Sequence, residues 1–243
     1  MRRVRLVDAA SSRGGRRFEA VMERELYFHA EQVAASLPGP PGDVILIPEM
    51  PSPLGLPDFV ALVGGEGWLV ERSRLAVPPI LSEIDATLLS ALGERRLLSE
   101  ESIASRLGWT PDQVGLSLSR LVRAGAAARS VRGSAVARAG MKPEGLLYAI
   151  EVKVKDWRRA QIQGRGYRTW ANNYVVVLGG VGTKASTRAK AEHREDGAGL
   201  YTEDGWIVRP RKRTPSSARR AQGFEYVYAA LASDPALGSH KHV

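Results

Sequence analysis

Residues 149–155 read AIEVKVK, placing Glu151, Lys153 and Lys155 in strict alternation with Ile150, Val152 and Val154. Period-two alternation predicts a strand with one apolar and one charged face. Side chains two apart on a strand point the same way and stand about 6.6 Å apart at the backbone, so Glu151 and Lys153 converge on one small object. A carboxylate and an ammonium do not yet make a site; a second carboxylate is needed. Asp58 supplies it, because it opens the otherwise apolar run DFVALV directly after GLP, where packing gives no reason for a short acid. The chain has no cysteine and four histidines, His29, His193, His240 and His242. Disulfides and thiolate metal sites are therefore excluded, and a metal here would be held by oxygen.

The elements that must position these residues lie on either side. RRFEAVMERELYFHAEQVAASLP carries Phe18, Met22, Leu26, His29 and Val33 on one stripe at helical spacing and stops at PGPPG. DVILIPEM and DFVALV predict strands joined by the turn-forming PSPLGLP, and GGEGWLVERSRL is expected to continue them as a hairpin. Further on, EGLLYAIEVKVK predicts a strand, DWRRAQIQGRGYRTWANN a helix, YVVVLGG a buried strand and GLYTEDGWIVRP a late hairpin. GVGTKASTRAKAEHREDG, poor in large apolar residues, is expected to be a mobile surface stretch. SDPALGSHKHV reads as a frayed tail, so His240 and His242 are not taken as metal ligands.

Between these halves, from about residue 80, the pattern becomes compactly helical. One helix starts at Ser82 with Ile84, Leu88, Leu89 and Leu92. A second is capped by Ser99 and ends at Gly108, and a third is capped by Thr110 with Pro111 in its first turn. Val114, Leu118, Leu121 and Val122 form the buried stripe of the third, which turns Gln113, Ser117 and Arg120 outward. Gly125 closes it, and RSVRGSAVAR predicts a two-stranded wing tipped by Arg132 and Gly133. Over about sixty residues this resembles a winged helix-turn-helix. The resemblance implies DNA contacts from Gln113, Ser117, Arg120, Arg129 and Arg132, with protein docking as the other known use of such domains.

With both signature strands placed, the chain resembles the PD-(D/E)XK, or restriction-endonuclease-like, nuclease superfamily. Pro57-Asp58 opens one strand and Glu151-Val152-Lys153 lies on the next; Gln163 and Tyr167 match the Gln-x-x-x-Tyr pattern that some branches carry on the following helix. Glu23 in MERELY matches an upstream acid of resolvase-like members, with Glu19 one turn earlier as the fallback. The departure is length: more than ninety residues separate Asp58 from Glu151, where the family uses a short hairpin. Insertion of a domain at a hairpin tip is tolerated, because loop-closure cost grows slowly with length. The implied architecture is α/β, a mixed central sheet flanked by helices: core residues 1–79 and 143–243, with a winged helix inserted at 80–142.

The resemblance implies phosphodiester hydrolysis. Asp58, Glu151 and the main-chain carbonyl of Val152 would be hard oxygen ligands for Mg²⁺, with Mn²⁺ as substitute. Lys153 would orient or deprotonate the attacking water, its pKa lowered by desolvation; Glu23 would hold a second ion or order water. Gln163 and Tyr167 would brace the site or touch the substrate backbone. Singly, each residue has a plainer account: Asp58 as a turn cap, Glu151 and Lys153 as a solvated pair, Glu23 as an exposed helix acid.

Charge points to the same partner. The net charge of +9 is concentrated in residues 2–17, with Arg2, Arg3, Arg5, Arg13, Arg16 and Arg17, and in 209–220, with Arg209, Arg211, Lys212, Arg213, Arg219 and Arg220. Such clusters suit a polyanion through counterion release. Double-stranded DNA is the expected partner, with RNA left open, and a homodimer would supply the two sites that symmetric double-strand cutting requires. A cytoplasmic protein is expected, since no apolar run approaches the ~20 residues of a membrane helix and the start has no signal-peptide core. Two other readings remain open: a catalytically silent DNA-binding regulator or accessory subunit, and a chain whose winged helix docks a protein in a defence, repair or transposition complex.

Overall fold

The computed structural model describes residues 2–7, 26–180 and 183–232. In chain order the elements are β1 (Val4–Leu6), α1 (Tyr27–Ser36), β2 (Val44–Pro48), β3 (Phe59–Val63), α2 (Glu66–Arg74), α3 (Glu83–Ala91), α4 (Glu100–Leu107), α5 (Pro111–Arg123), β4 (Ala127–Arg129), β5 (Ala135–Ala137), β6 (Leu146–Lys153), α6 (Trp157–Tyr167), β7 (Asn173–Leu178), α7 (Thr183–Asp196), β8 (Gly199–Thr202), β9 (Gly205–Val208) and α8 (Ser217–Ala232). The fold is α/β, with a mixed seven-stranded sheet in the order β1-β2-β3-β6-β7-β8-β9 and helices on both faces. The pairs β2–β3, β3–β6 and β8–β9 are antiparallel, whereas β1–β2, β6–β7 and β7–β8 are parallel.

Burial on both sides explains the near-continuous apolar runs VILIP, FVALV and NYVVVL. One face, with Leu46, Ala61, Tyr148, Ile150 and Val175, is covered by Ala30 and Val33 of α1 and by Leu37 just after it. The other, with Ile47, Val60, Leu147, Ala149 and Val176, is covered by Trp68, Ala160, Tyr167, Ala189 and Phe224 from α2, α6, α7 and α8. Strand β6 is therefore not a surface strand. Its charged side chains continue the row of Leu147 and Ala149, under α6.

Residues 77–141 form a third apolar cluster, built around Leu88, Ile103, Leu118 and Leu121 from α3, α4 and α5 and Ala127 and Ala135 of the β4–β5 pair. The expected caps are present: the Ser82, Ser99 and Thr110 side chains accept from backbone N–H groups, and Gly108 ends α4 in the left-handed region. Ile84 is 52% exposed and Val122 37% exposed, however, so neither belongs to the stripe expected of it. In the first helix it is Asp85 that turns inward.

Helix α8 braces this segment against the sheet. Glu225 of α8 accepts two hydrogen bonds from buried Arg72 of α2, at 2.9 and 2.8 Å, and one from the Ile80 backbone at 2.8 Å. Arg72 also donates to the carbonyls of Val77 and Pro78, while Gln222 and Arg220 bind the carbonyls of Leu81, Pro143 and Gly145. Both ends of the 77–141 segment are thus tied to one helix.

Two further expectations fail, and one helix has no counterpart in the sequence pattern. Residues 66–74 form helix α2, not a hairpin, because Gly64 at φ 65° ends β3 and Trp68, Leu69 and Arg72 share one buried helical face. Residues 183–196 form helix α7, held by buried Ala189 and His193 one turn apart and by Asp196 at its end. Helix α8 went unforeseen within a region read only for its charge. Glu19, Glu23, Arg13, Arg16, Arg17, His240 and His242 lie outside the described residues. Among the described residues, no helix is long and apolar enough to cross a membrane.

Candidate active site

The antiparallel register pairs Phe59 of β3 with Ile150 of β6, so one step further brings Asp58 beside Glu151. Asp58 Oδ2 accepts the Val152 backbone N–H at 2.7 Å and the Lys153 ammonium at 3.2 Å. The same ammonium lies 3.3 Å from Glu151 Oε2 and 3.1 Å from the Val152 carbonyl oxygen. Residues ninety-three positions apart in sequence thus share one cation, and the spacing of the Glu-x-Lys pair on one strand face is what aims both side chains at it.

Glu151 is only 1% exposed. Burial, with Asp58 adding to it, pushes its carboxyl up to about 7, against the opposing pull of Lys153 and Tyr167. A solvated pair is therefore ruled out as the account of Glu151 and Lys153. Burial also disfavours the charged form of Lys153, but Asp58 and Glu151 outweigh it and hold the amine above its ordinary range. The lowered lysine pKa expected for a base is absent, because two carboxylates face one ammonium.

Helix α6 completes the cluster. The Tyr167 hydroxyl donates to Glu151 Oε1 at 2.7 Å. Its approach to the sheet depends on Gly164, where an added Cβ would lie 2.1 Å from the Tyr174 ring. Gln161 and Arg165 of the same helix bind Asp196 at 3.1 and 2.8 Å, and Tyr174 joins them at 2.8 Å, pinning α6, β7 and α7 together. Gln163 does not touch the carboxylates; its amide lines a depression beside Tyr167, and its buried Oε1 has no hydrogen-bond partner.

Sequence reasoning missed Glu49. It follows β2 opposite Asp58, its N–H donating to the Asp58 carbonyl at 3.0 Å, with φ at 44° in the left-handed region that non-glycine residues rarely occupy. The acid after IP was the available signal. Even so, among the described residues no group of three or more histidines and acids forms a metal cluster.

The residues expected to touch DNA fare differently. Ser117 is fully buried and donates to Asp85 at 2.6 Å, so it does not face outward as α5 was expected to turn it. Its place on the helix is occupied outwardly by Leu116, 65% exposed. The Gln113 side chain closes the capping box at Thr110. Arg120 forms a two-pronged pair with Asp85, and Arg129 pairs with Glu100. Arg132 is exposed at the turn between β4 and β5. The basic clusters are likewise partly used within the fold: Arg2 donates to the carbonyls of Leu37, Gly39 and Pro40, and Arg219 pairs with Glu83 at 2.7 Å. Arg211, Lys212 and Arg213 remain exposed.

Two carboxylates and a carbonyl around one ammonium form a donor set of hard oxygens, the kind that Mg²⁺ or Mn²⁺ takes, and here a side-chain cation already sits among them. Asp58, Glu151 and Val152 thus fit a divalent ion by chemistry. No family model, curated protein or solved structure matches this chain.

Proposed function

We propose that the protein is a divalent-metal-dependent deoxyribonuclease with a core of restriction-endonuclease type. The observation that carries this reading is the convergence of Asp58, Glu151 and the Val152 carbonyl on the Lys153 ammonium. In this reading Asp58, Glu151 and the Val152 carbonyl would hold Mg²⁺, which would supply charge neutralisation at the phosphate and acidify water. Lys153, kept cationic by its neighbours, then faces the phosphate and orients the attacking water by hydrogen bonding. Tyr167 fixes the rotamer of Glu151. Water would add to phosphorus as it gives up a proton to solvent, the P–O bond to the leaving oxygen would break, and that oxygen would take a proton from solvent.

Residues 77–141 are read as a winged helix inserted in this core, and DNA as the polyanion that Arg132, Arg211, Lys212 and Arg213 attract. Most of the groups expected for groove reading are engaged internally, which favours backbone over base contacts for this segment.

A silent DNA-binding scaffold is the second reading, favoured by the same bridge: Lys153 already offsets both carboxylates without any ion. Plasmid incubated with Mg²⁺ and wild-type protein, Asp58→Ala or Lys153→Ala separates them. Nicking by the wild type alone supports the nuclease. No nicking by any, with DNA still bound, supports the scaffold, and equal nicking by all three marks a contaminant.

A further inference from the structure

We propose that the depression beside Tyr167 is a subsite for one unpaired nucleobase of DNA, adjacent to the phosphate held at Asp58 and Glu151. The proposal rests on the nuclease reading for its neighbour but not for its own walls. Tyr167 links the two: its hydroxyl holds Glu151, and the same residue lines a depression of about 310 Å³ between α6 and the 51–57 loop. That size is at the small end of the ~300–1,000 Å³ typical of small-molecule sites and suits one ring system.

The lining is unusual for its position. Leu54 of the loop and Ile162 of α6 are 51% and 69% exposed and line the depression, beside a helix whose other outward residues include Arg158, Arg159 and Arg165. Apolar walls of this kind receive the faces of a flat ring. The loop is pressed onto the helix through glycines: a Cβ on Gly55, which has φ 84°, would lie 2.9 Å from the Tyr167 ring, and one on Gly166 would meet Leu54 at 3.2 Å.

Gln163 supplies the recognition element. Gln163 lines the depression and its buried Oε1 has no hydrogen-bond partner, whereas Gln161, two residues earlier, is bonded to Asp196. Buried acceptors are almost always paired, and a turn of the half-buried Gln163 side chain would bring this unpaired oxygen to an N–H of an occupant. The exocyclic amino group of a base is such a donor, and amide side chains are its usual reader. A base stacked in a duplex cannot enter a pocket, so the nucleotide must be unpaired or extruded. Cations on the outward face of α6, with Lys155 just before it, would follow the flanking backbone. The substrate class is therefore DNA with a single-stranded or locally unpaired nucleotide next to the scissile phosphate.

The test is fluorescence anisotropy on labelled single strands in Ca²⁺, with a lone abasic residue moved along the strand. Loss of the base at one position should weaken wild-type binding about tenfold, the size expected for one stacked base. In Gln163→Leu and in Ile162→Ser that penalty should vanish, with melting curves confirming that both variants are folded. Ile162→Ser alters an exposed side chain and so keeps the test valid if Gln163→Leu unfolds. Indifference to the abasic residue at every position, or an undiminished penalty in the folded variants, overturns the subsite. Plasmid nicking in Mg²⁺ is scored separately, so loss of the nuclease reading leaves the anisotropy result intact, and the reverse also holds.

Discussion

Tyr167 on α6 reaches Glu151 on β6 across 2.7 Å, and this is the bond through which the helix orders the buried carboxylate. Replacing the hydroxyl by hydrogen leaves that oxygen without its donor in a buried place. Tyr167→Phe should cost about 1–2 kcal/mol of stability and push the Glu151 carboxyl still higher. Calorimetric titration with Mn²⁺ should then show weaker binding and a pH midpoint displaced upward relative to wild type.

The buried carboxyl also makes stability depend on pH. Glu151 rises from the ordinary 4.5 to about 7 through burial and Asp58. A raised pKa means that the folded state holds the proton more tightly, so this contribution is complete below about 4.5 and is lost as pH climbs through 7. Lys153, held above its ordinary 10.5 once its carboxylate neighbours outweigh burial, stays charged throughout that window. Metal-free protein should therefore lose melting temperature between pH 5 and 8 on this account, Glu151→Gln should lack that component, and Mn²⁺ should restore more of it at pH 8 than at pH 6.

Gly164 permits a separation between α6 and β7 that no side chain allows. With a Cβ 2.1 Å from the Tyr174 ring, Gly164→Ala must displace the helix or the ring, despite alanine's better helix propensity. A loss of about 1–3 kcal/mol in urea denaturation is expected, together with loss of metal affinity, since Tyr167 moves with the helix.

Breaking the buried Arg72–Glu225 pair should be the most damaging of the single changes. Glu225→Gln leaves a guanidinium with no counter-charge in a fully buried site and should destabilise by about 3–5 kcal/mol. The double variant Arg72→Met, Glu225→Leu should recover much of that loss in the same denaturation experiment.

Within residues 77–141, Ser117→Ala should lower stability by about 1–2 kcal/mol by removing a buried donor from Asp85, with DNA affinity following the folded fraction only. Arg120 and Ser117 together hold the Asp85 carboxyl below its usual range even though burial opposes them. Arg132→Ala should leave the melting temperature unchanged and reduce the salt slope of DNA binding.

Much of this arrangement is legible before folding. Alternation around Glu151 and the misplaced acid after Pro57 find each other because strand register is a local rule applied twice. Ser82, Ser99, Thr110, Gly108 and Gly133 mark their elements correctly because caps and turns depend on nearby atoms alone. Helices α7 and α8 escape for the opposite reason. In α7 the buried stripe is the small Ala189 and the polar His193, and what α8 holds, including Arg72 and the chain at 77–81, lies far away in sequence. Ser117 turns inward against its helical pattern because Asp85, a buried acid on a helix otherwise packed through apolar residues, accepts its hydroxyl.

The 77–141 segment leaves and rejoins the sheet where Val63 pairs with Leu146, whereas Asp58 and Glu151 lie at the other end of the same two strands. Five residues of β6 set that interval, about 16 Å, and bonds from α8 tie down the chain at both ends of the segment. On the nuclease reading, what the 77–141 segment holds and what Asp58 and Glu151 act on would sit toward opposite ends of one strand pair, so the two halves would work along a shared ruler.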